Sequence, residues 1–220
     1  MKYVYIFGNN PLAELLHFYL TSQGMNVTGF VLNEQYINSN KYNLPAGLFS
    51  LEQVIATHAP EELGVYVTVA YAKMNRIRES IFQQLQVKKI SIMSFIHPSC
   101  IIADNAKIGC GNIFLENAVI QPFSTIGDGN IFWEGTLISH HCKVGNYNYF
   151  SPGVAMSGIV RVENRCFFGS NVTVRNNVEI GNEVMVGAGA YVWKSFNEGS
   201  VIVPPRSIEL EKRSMEMVLV

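Results

Sequence analysis

A chain of 220 residues that is 48% hydrophobic and 15% charged has enough apolar mass for one large core or two modest ones. Its net charge of −1, with no Lys/Arg run, removes any electrostatic case for nucleic acid as a partner. No stretch approaches the roughly 18 consecutive apolar residues of a membrane span, and the apolar run at residues 3–7 is too short for a signal peptide, so a cytoplasmic protein without membrane insertion is expected.

Residues 3–7, Tyr-Val-Tyr-Ile-Phe, predict a short buried strand, and Gly8-Asn9-Asn10-Pro11 the turn after it. Leu12, Leu15, Leu16, Tyr19 and Leu20 recur at helical spacing up to Gly24. Further elements are expected as strands over 26–32, 65–70 and 89–94 and helices over 51–57 and 74–85. Strand, glycine turn, helix and strand make a βαβ unit of the half-Rossmann kind. Its dinucleotide fingerprint is incomplete, because the turn lacks G-x-G-x-x-G and Pro11 removes a backbone donor. The turn is either structural or makes a smaller contact through its helix N-terminus. Asn33 and Glu34, just past the second strand, are either a polar turn or a group that reads a nucleoside.

From Ile96 to Val192 every sixth residue is large and apolar, with no insertion; Phe114, Phe132, Phe150 and Phe168 belong to the series. Period six fits neither a helix nor an ordinary strand and marks a parallel β-helix. With three hexapeptides per coil, residues 18 apart stack about 4.8 Å apart. Gly109, Gly127, Gly145 and Gly181 then form one column and Gly169 and Gly187 another. The slot two places before each periodic residue is expected to hold small side chains, among them Cys100, Cys142 and Cys166, which pack as small hydrophobes. The four cysteines make no CxxC pair. Past Lys194 the period fails, residues 203–206 make a stiff Val-Pro-Pro-Arg bend, and 208–218 predict a terminal helix. The division expected is 1–94 for the α/β domain, 95–203 for the β-helix and 204–220 for the bend and helix.

The same arithmetic places His140 beside Gly158, one coil on. A histidine suits general-base work near neutral pH, while the alternative is a polar turn residue on the outside of the coil. Trp133 and Trp193, each one place after a periodic residue, are either parts of a packing face or single exposed rings.

The hexapeptide array, the opening Ile96-His97-Pro98-Ser99, the segment Ser139-His140-His141-Cys142-Lys143-Val144-Gly145, the following Ser151-Pro152-Gly153 and Ser157-Gly158, and the Val203-Pro204-Pro205-Arg206 bend resemble bacterial sugar acyltransferases of the PglD/NeuD type. The resemblance implies a half-Rossmann domain followed by a left-handed β-helix, assembled as a homotrimer with active sites between subunits. It implies transfer of acetyl from acetyl-CoA to the amino group of a nucleotide-linked amino sugar, for surface-glycan biosynthesis, without a metal. His140 takes the place of the catalytic base, and the Gly158 N–H that of the donor to the thioester carbonyl. His141 stands where the family often has an acidic residue, which leaves Glu116 or Glu134 from elsewhere in the trimer as candidate carboxylates. Coenzyme contacts carry over to Tyr149, Gly158, Gly169, Ser170, Gly187 and Ala188, with Lys194 and Arg206 as candidates for its phosphates. Tyr149 replaces a histidine found in some members. Sugar-nucleotide contacts carry over to Asn10, Pro11, Leu12, Asn33, Glu34 and Tyr71. The competing functions are O-acetylation of a sugar hydroxyl and a non-catalytic trimeric scaffold. A metal-dependent hydratase, which uses the same kind of helix, would need a closely spaced histidine pair that His97, His140 and His141 do not supply.

Overall fold

The structure, a computed structural model, describes residues 1–39, 44–205 and 207. Five parallel strands, β1 (Tyr3–Phe7), β2 (Gly29–Leu32), β3 (Leu48–Ser50), β4 (Leu63–Val67) and β5 (Ser91–Ile92), form a sheet in the order β3-β2-β1-β4-β5. Helices α1 (Pro11–Ser22), α2 (Leu51–Thr57) and α3 (Arg76–Val87) connect them. The strand order reverses beside β1, the place where open α/β sheets hold ligands.

Several boundaries differ from expectation, each for a local reason. The β2 ladder starts at Gly29 rather than residue 26 because the Thr28 hydroxyl accepts the Val4 N–H at 3.1 Å. Strand β4 is paired residue for residue with β1, Leu63 opposite Tyr3 and Val67 opposite Phe7. Past that point Thr68 ends the ladder by giving both its N–H and its hydroxyl to the Phe7 carbonyl. Helix α3 starts two residues late because Lys73, Met74 and Asn75 all have positive φ, at 50°, 49° and 62°, which no right-handed helix admits. The sequence reading missed β3, a three-residue strand at the sheet edge.

From Phe95 onward the chain coils. Two-residue strands build three parallel sheets of seven, six and five strands, here called faces 1, 2 and 3. Face 1 begins with Phe95–Ile96, face 2 with Ile101–Ile102 and face 3 with Lys107–Ile108. Each periodic residue is the inward member of its strand. Pairing runs 18 residues apart, as in Leu137↔Ala155 and Ile138↔Met156, until the last coil, where Met185 pairs with Val201 and Ile180 with Phe196. The coil therefore continues past the failure of the period, with a turn two residues shorter. Its corners carry left-handed residues such as Phe123, His141, Ile159 and Asn177, φ 59–65°. The architecture is a half-Rossmann α/β domain followed by a left-handed parallel β-helix.

Inside, Phe114, Phe132, Phe150 and Phe168 stack with centroids 4.6, 4.7 and 5.0 Å apart and nearly parallel planes. Stacks of this kind add about 0.5–1.5 kcal/mol per pair beyond burial. The slot expected to be small is wider than that. It accepts Val154, Val160, Val172, Val178 and Val184, and at one corner it holds a buried ladder of Asn112, Asn130 and Asn148. Each ladder oxygen accepts the backbone N–H one coil on, at 2.7–2.8 Å, ending on Cys166. The amide ladder satisfies N–H groups that the corner leaves unpaired. Cys142 and Cys166 are buried as expected, and burial raises both thiols, Cys166 to about 12.

The α/β domain covers face 1 from Phe95 to Phe167, while Met185 and Val201 of its last two strands are exposed. Leu12, Leu16 and Leu20 of α1 pack with Phe95, Ile113, Ile131 and Tyr149 in one cluster. Arg78 of α3 is fully buried and gives its guanidinium donors to five backbone carbonyls, of Gly129, Val69, Ala70, Tyr147 and Asn148, at 2.7–3.1 Å. Three of these belong to the coil and two to the loop after β4, so one side chain ties that loop to the helix beneath it. Burial pulls this guanidinium down to about 9, which leaves it charged at neutral pH. Arg76, Glu79, Arg165 and Glu183 add an ion-pair network at the same joint.

Candidate active site

Ser139-His140-His141-Cys142 forms the corner between face 2 and face 3. The left-handed φ of 59° at His141 turns the chain there, so the two consecutive rings do not lie on one face. Their Nδ1 atoms are 3.1 Å apart, and the His141 ring stacks on Phe123, one coil below, at 4.8 Å. The His140 N–H is held by the Gln121 side chain at 3.0 Å. Both rings are exposed.

Gly158 sits directly over His140. A β-carbon built on it would lie 2.5 Å from His140 Cε1 and 2.7 Å from Nε2. Only a glycine leaves room for the ring, with its Nε2 edge against peptide backbone. The column deduced from the 18-residue period is therefore a physical contact.

The coenzyme candidates do not converge within one chain. Gly169, Ser170, Gly187 and Ala188 lie at the corner between faces 1 and 2, where Gly169 backs onto the Ala188 backbone. Lys194 lies at the other edge of face 2, in the His140 column. Tyr149 is buried under Tyr71 and beside Phe167, with centroids 5.1 and 5.5 Å away, rather than exposed, and burial raises its hydroxyl to about 12. Arg206 and the helix expected over 208–218 lie outside the described residues.

Along the His140 corner toward the carboxyl end, Arg175, Asn176, Trp193 and Lys194 line a cavity of about 310 Å³. The Lys194 ammonium lies 5.2 Å from the Trp193 ring. Arg175 was not singled out from the sequence. Its place 18 residues before Trp193 was the available signal, since that spacing puts the two in one column.

The sugar-nucleotide candidates divide. Asn10 caps α1, accepting the Ala13 N–H and donating to the Thr68 carbonyl at 3.0 Å each, and Leu12 is buried in the core, so both are occupied by the fold. Pro11 is the first residue of α1 and is exposed. Asn33 borders a cavity of about 510 Å³ at the ends of β1, β2 and β4, with Phe7, Asn9, Tyr36, Val69 and Lys73. Its side-chain oxygen is buried without a partner among the described residues, an acceptor those residues leave unused. Glu34 opens into a neighbouring hollow with Gln35 and Glu52. Tyr71 is half exposed above Tyr149 and Phe167. Among the described residues no group of three or more His, Cys, Asp or Glu side chains is placed to hold a metal ion, and no helix is long and apolar enough to cross a membrane.

Residues 159–194 match the family described as hexapeptide repeat of succinyl-transferase. No curated protein matches the chain in sequence. Among solved structures it is similar to the acetyltransferase domain of PglB from Neisseria gonorrhoeae, in complex with acetyl coenzyme A. That match has a TM-score of 0.77 and 22% identity over 91% of this chain and 95% of that one. PerB from Caulobacter crescentus, in complex with CoA and GDP-perosamine, gives 0.79 and 24% over 90% and 92%. WeeI from Acinetobacter baumannii gives 0.75 and 20% over 92% and 96%. The chain thus has, over nearly its whole length, the fold of these proteins: an α/β domain leading into a left-handed β-helix of hexapeptide repeats.

Proposed function

We propose that this protein is an acetyltransferase that moves acetyl from acetyl-CoA to the amino group of a nucleotide-linked amino sugar, with His140 as general base. The observation that carries the reading is the Nε2 edge of His140 lying against the Gly158 backbone. A base and a backbone donor at one point is what acyl transfer needs. His140 Nε2 takes a proton from the acceptor amine as its nitrogen attacks the thioester carbon. The Gly158 N–H receives the developing oxyanion. The C–S bond then breaks, and the proton passes from His140 to the leaving thiolate. PerB, a neighbour in fold, holds CoA and GDP-perosamine together, which supports this pairing of substrates.

Each site is completed by one neighbouring copy of the chain in a homotrimer. Face 1 is covered by the α/β domain over its first five strands, and face 3 shows Lys107, Lys143, Arg161 and Glu179 to solvent. The outward row of face 2 is Ile101, Val119, Leu137, Ala155, Thr173 and Tyr191, with Ile101 66% and Tyr191 59% exposed. An apolar strip of this length on a straight prism suits threefold packing. Such packing sets the His140 edge of each face 2 against the Gly169–Ser170–Ala188 edge of the next copy, where coenzyme contacts from two subunits meet. Arg175 and Lys194 take the coenzyme phosphates. Asn33 and the cavity at the strand ends take the nucleotide. The working division of the chain is 1–94, 95–203 and 204–220.

Thioester cleavage, measured with acetyl-CoA and a panel of nucleotide-linked amino sugars, GDP-perosamine among them, tests the reading. His140→Ala is expected to lower turnover by at least about 100-fold, and Leu137→Glu to yield a monomer in sedimentation and abolish activity. Turnover within a few-fold of wild type in His140→Ala removes His140 as the base. Turnover of hydroxyl acceptors alone replaces N- by O-acetylation, and coenzyme binding with no turnover on any acceptor favours the scaffold.

A further inference from the structure

We propose that Glu134 of a neighbouring copy accepts a hydrogen bond from His141 Nε2–H and so holds the His140 base in its working tautomer. The inference rests on the trimer and the base role proposed above, and deepens them.

The contact between the two Nδ1 atoms, 3.1 Å, needs a proton on one nitrogen and a lone pair on the other. For His140 Nε2 to take a proton it must hold a lone pair, so the ring proton of His140 sits on Nδ1 and is donated to His141. That forces the proton of His141 onto Nε2, which makes no hydrogen bond among the described residues. An imidazole receiving this bond leaves the cation formed at His140 without a countercharge, and a carboxylate on the far nitrogen supplies one.

The helix offers two acidic residues at the facing edge, Glu116 and Glu134, both at the corner between faces 1 and 2. Rotation about a threefold axis parallel to the coil keeps every residue at its own height. Glu134 precedes His140 by a third of a coil, about 1.6 Å of rise, whereas Glu116 lies a further coil away, about 6.4 Å in all. Glu116 is also engaged, accepting the Tyr19 hydroxyl of α1. The Glu134 side chain is exposed and makes no hydrogen bond or ion pair among the described residues. Height and availability both select Glu134.

The arrangement predicts a relay of Glu134, His141 and His140 in which the carboxylate acts across the subunit boundary. Glu134→Gln should lower kcat about 10- to 100-fold with KM for acetyl-CoA nearly unchanged. Glu134→Asp should lose less, and Glu116→Gln should stay near wild type. Trimers of His140→Ala and Glu134→Gln, dissociated and reassembled together, should show activity above that of either parent, because the intact His140 of one then meets the intact Glu134 of the other. In ¹⁵N spectra of the wild-type protein without substrates, His141 should be the Nε2–H tautomer, and Glu134→Gln should redistribute it. A wild-type kcat in Glu134→Gln, mixed trimers no better than the mean of their parents, or an unchanged His141 tautomer overturns the relay. Retained turnover in His140→Ala is a different failure, of the base itself.

Discussion

Replacing Gly158 by Ala separates the geometry of the base from the stability of the coil. The new methyl would stand 2.5 Å from His140 Cε1 and 2.7 Å from Nε2, whereas ordinary contact begins near 3.4 Å. The ring must therefore retreat by about 0.7–0.9 Å to restore van der Waals separation. Gly158 does not have a positive φ, so alanine suits its backbone and gains a few tenths to about 1 kcal/mol through a less flexible unfolded chain. A misplacement near 1 Å at a reacting group costs about 100-fold in rate, or about 2.7 kcal/mol in the barrier. The expected variant is thus folded, trimeric and at least as heat-stable as wild type, with kcat down by two orders of magnitude. Steady-state kinetics beside a calorimetric scan measures both quantities. Wild-type kcat in a properly folded Gly158→Ala protein would show that the His140 ring can leave this contact without consequence and that the glycine does not position the base.

Other outcomes follow from the same geometry. Arg78→Met leaves the carbonyls of Gly129, Val69, Ala70 and Tyr147 without a donor among the described residues, while Asn148 keeps the Ile131 N–H, and losing one side of a buried charged network costs about 3–5 kcal/mol. A melting temperature lower by on the order of 10 °C is expected for a chain of this size, with earlier proteolysis in the loop after β4. Arg175→Ala and Lys194→Ala should each raise KM for acetyl-CoA about tenfold, an effect that fades with added salt and is absent for a donor lacking the terminal phosphate. The Glu183 carboxyl is held below the usual carboxylate range, first by the hydrogen bond from Arg76 and then by that from Arg165. Its contribution is present above the unfolded-state value and lost as pH falls through the lower folded one. Acid titration of stability should therefore lose part of its slope in Glu183→Gln, and an identical slope would deny the network a role.

The period-six pattern was legible because every coil repeats one constraint, an inward side chain at each strand, so seventeen positions from Ile96 to Val192 voted for the same fold. His140 beside Gly158 was legible for the same reason. Arg78 was not, since a lone arginine on a helix ordinarily belongs to solvent, and its burial exists only once α3 has docked on the coil. The asparagine ladder was overlooked because a polar residue in an inward slot contradicts hydrophobic patterning unless the unpaired N–H groups of the corner are counted. The cap made by the Asn10 side chain and the burial of Leu12 were not legible either, since both depend on α1 docking against the sheet. Where the α/β elements slipped by two or three residues, hydroxyl capping at Thr28 and the left-handed run at Lys73–Asn75 decided the boundary, and neither leaves a periodic trace.

The constant 18-residue coil from His140 to Lys194 turns this part of the helix into a ruler. With no insertion between His140 and Lys194, three coils separate the base from the basic cavity edge, about 14 Å along the axis. A donor whose thioester and phosphates are spaced to that distance reaches both at once; a shorter thioester reaches one or the other. Under the proposed chemistry, selectivity for the length of the donor's arm is then set by the number of coils rather than by any single side chain. It should change in steps of 18 residues.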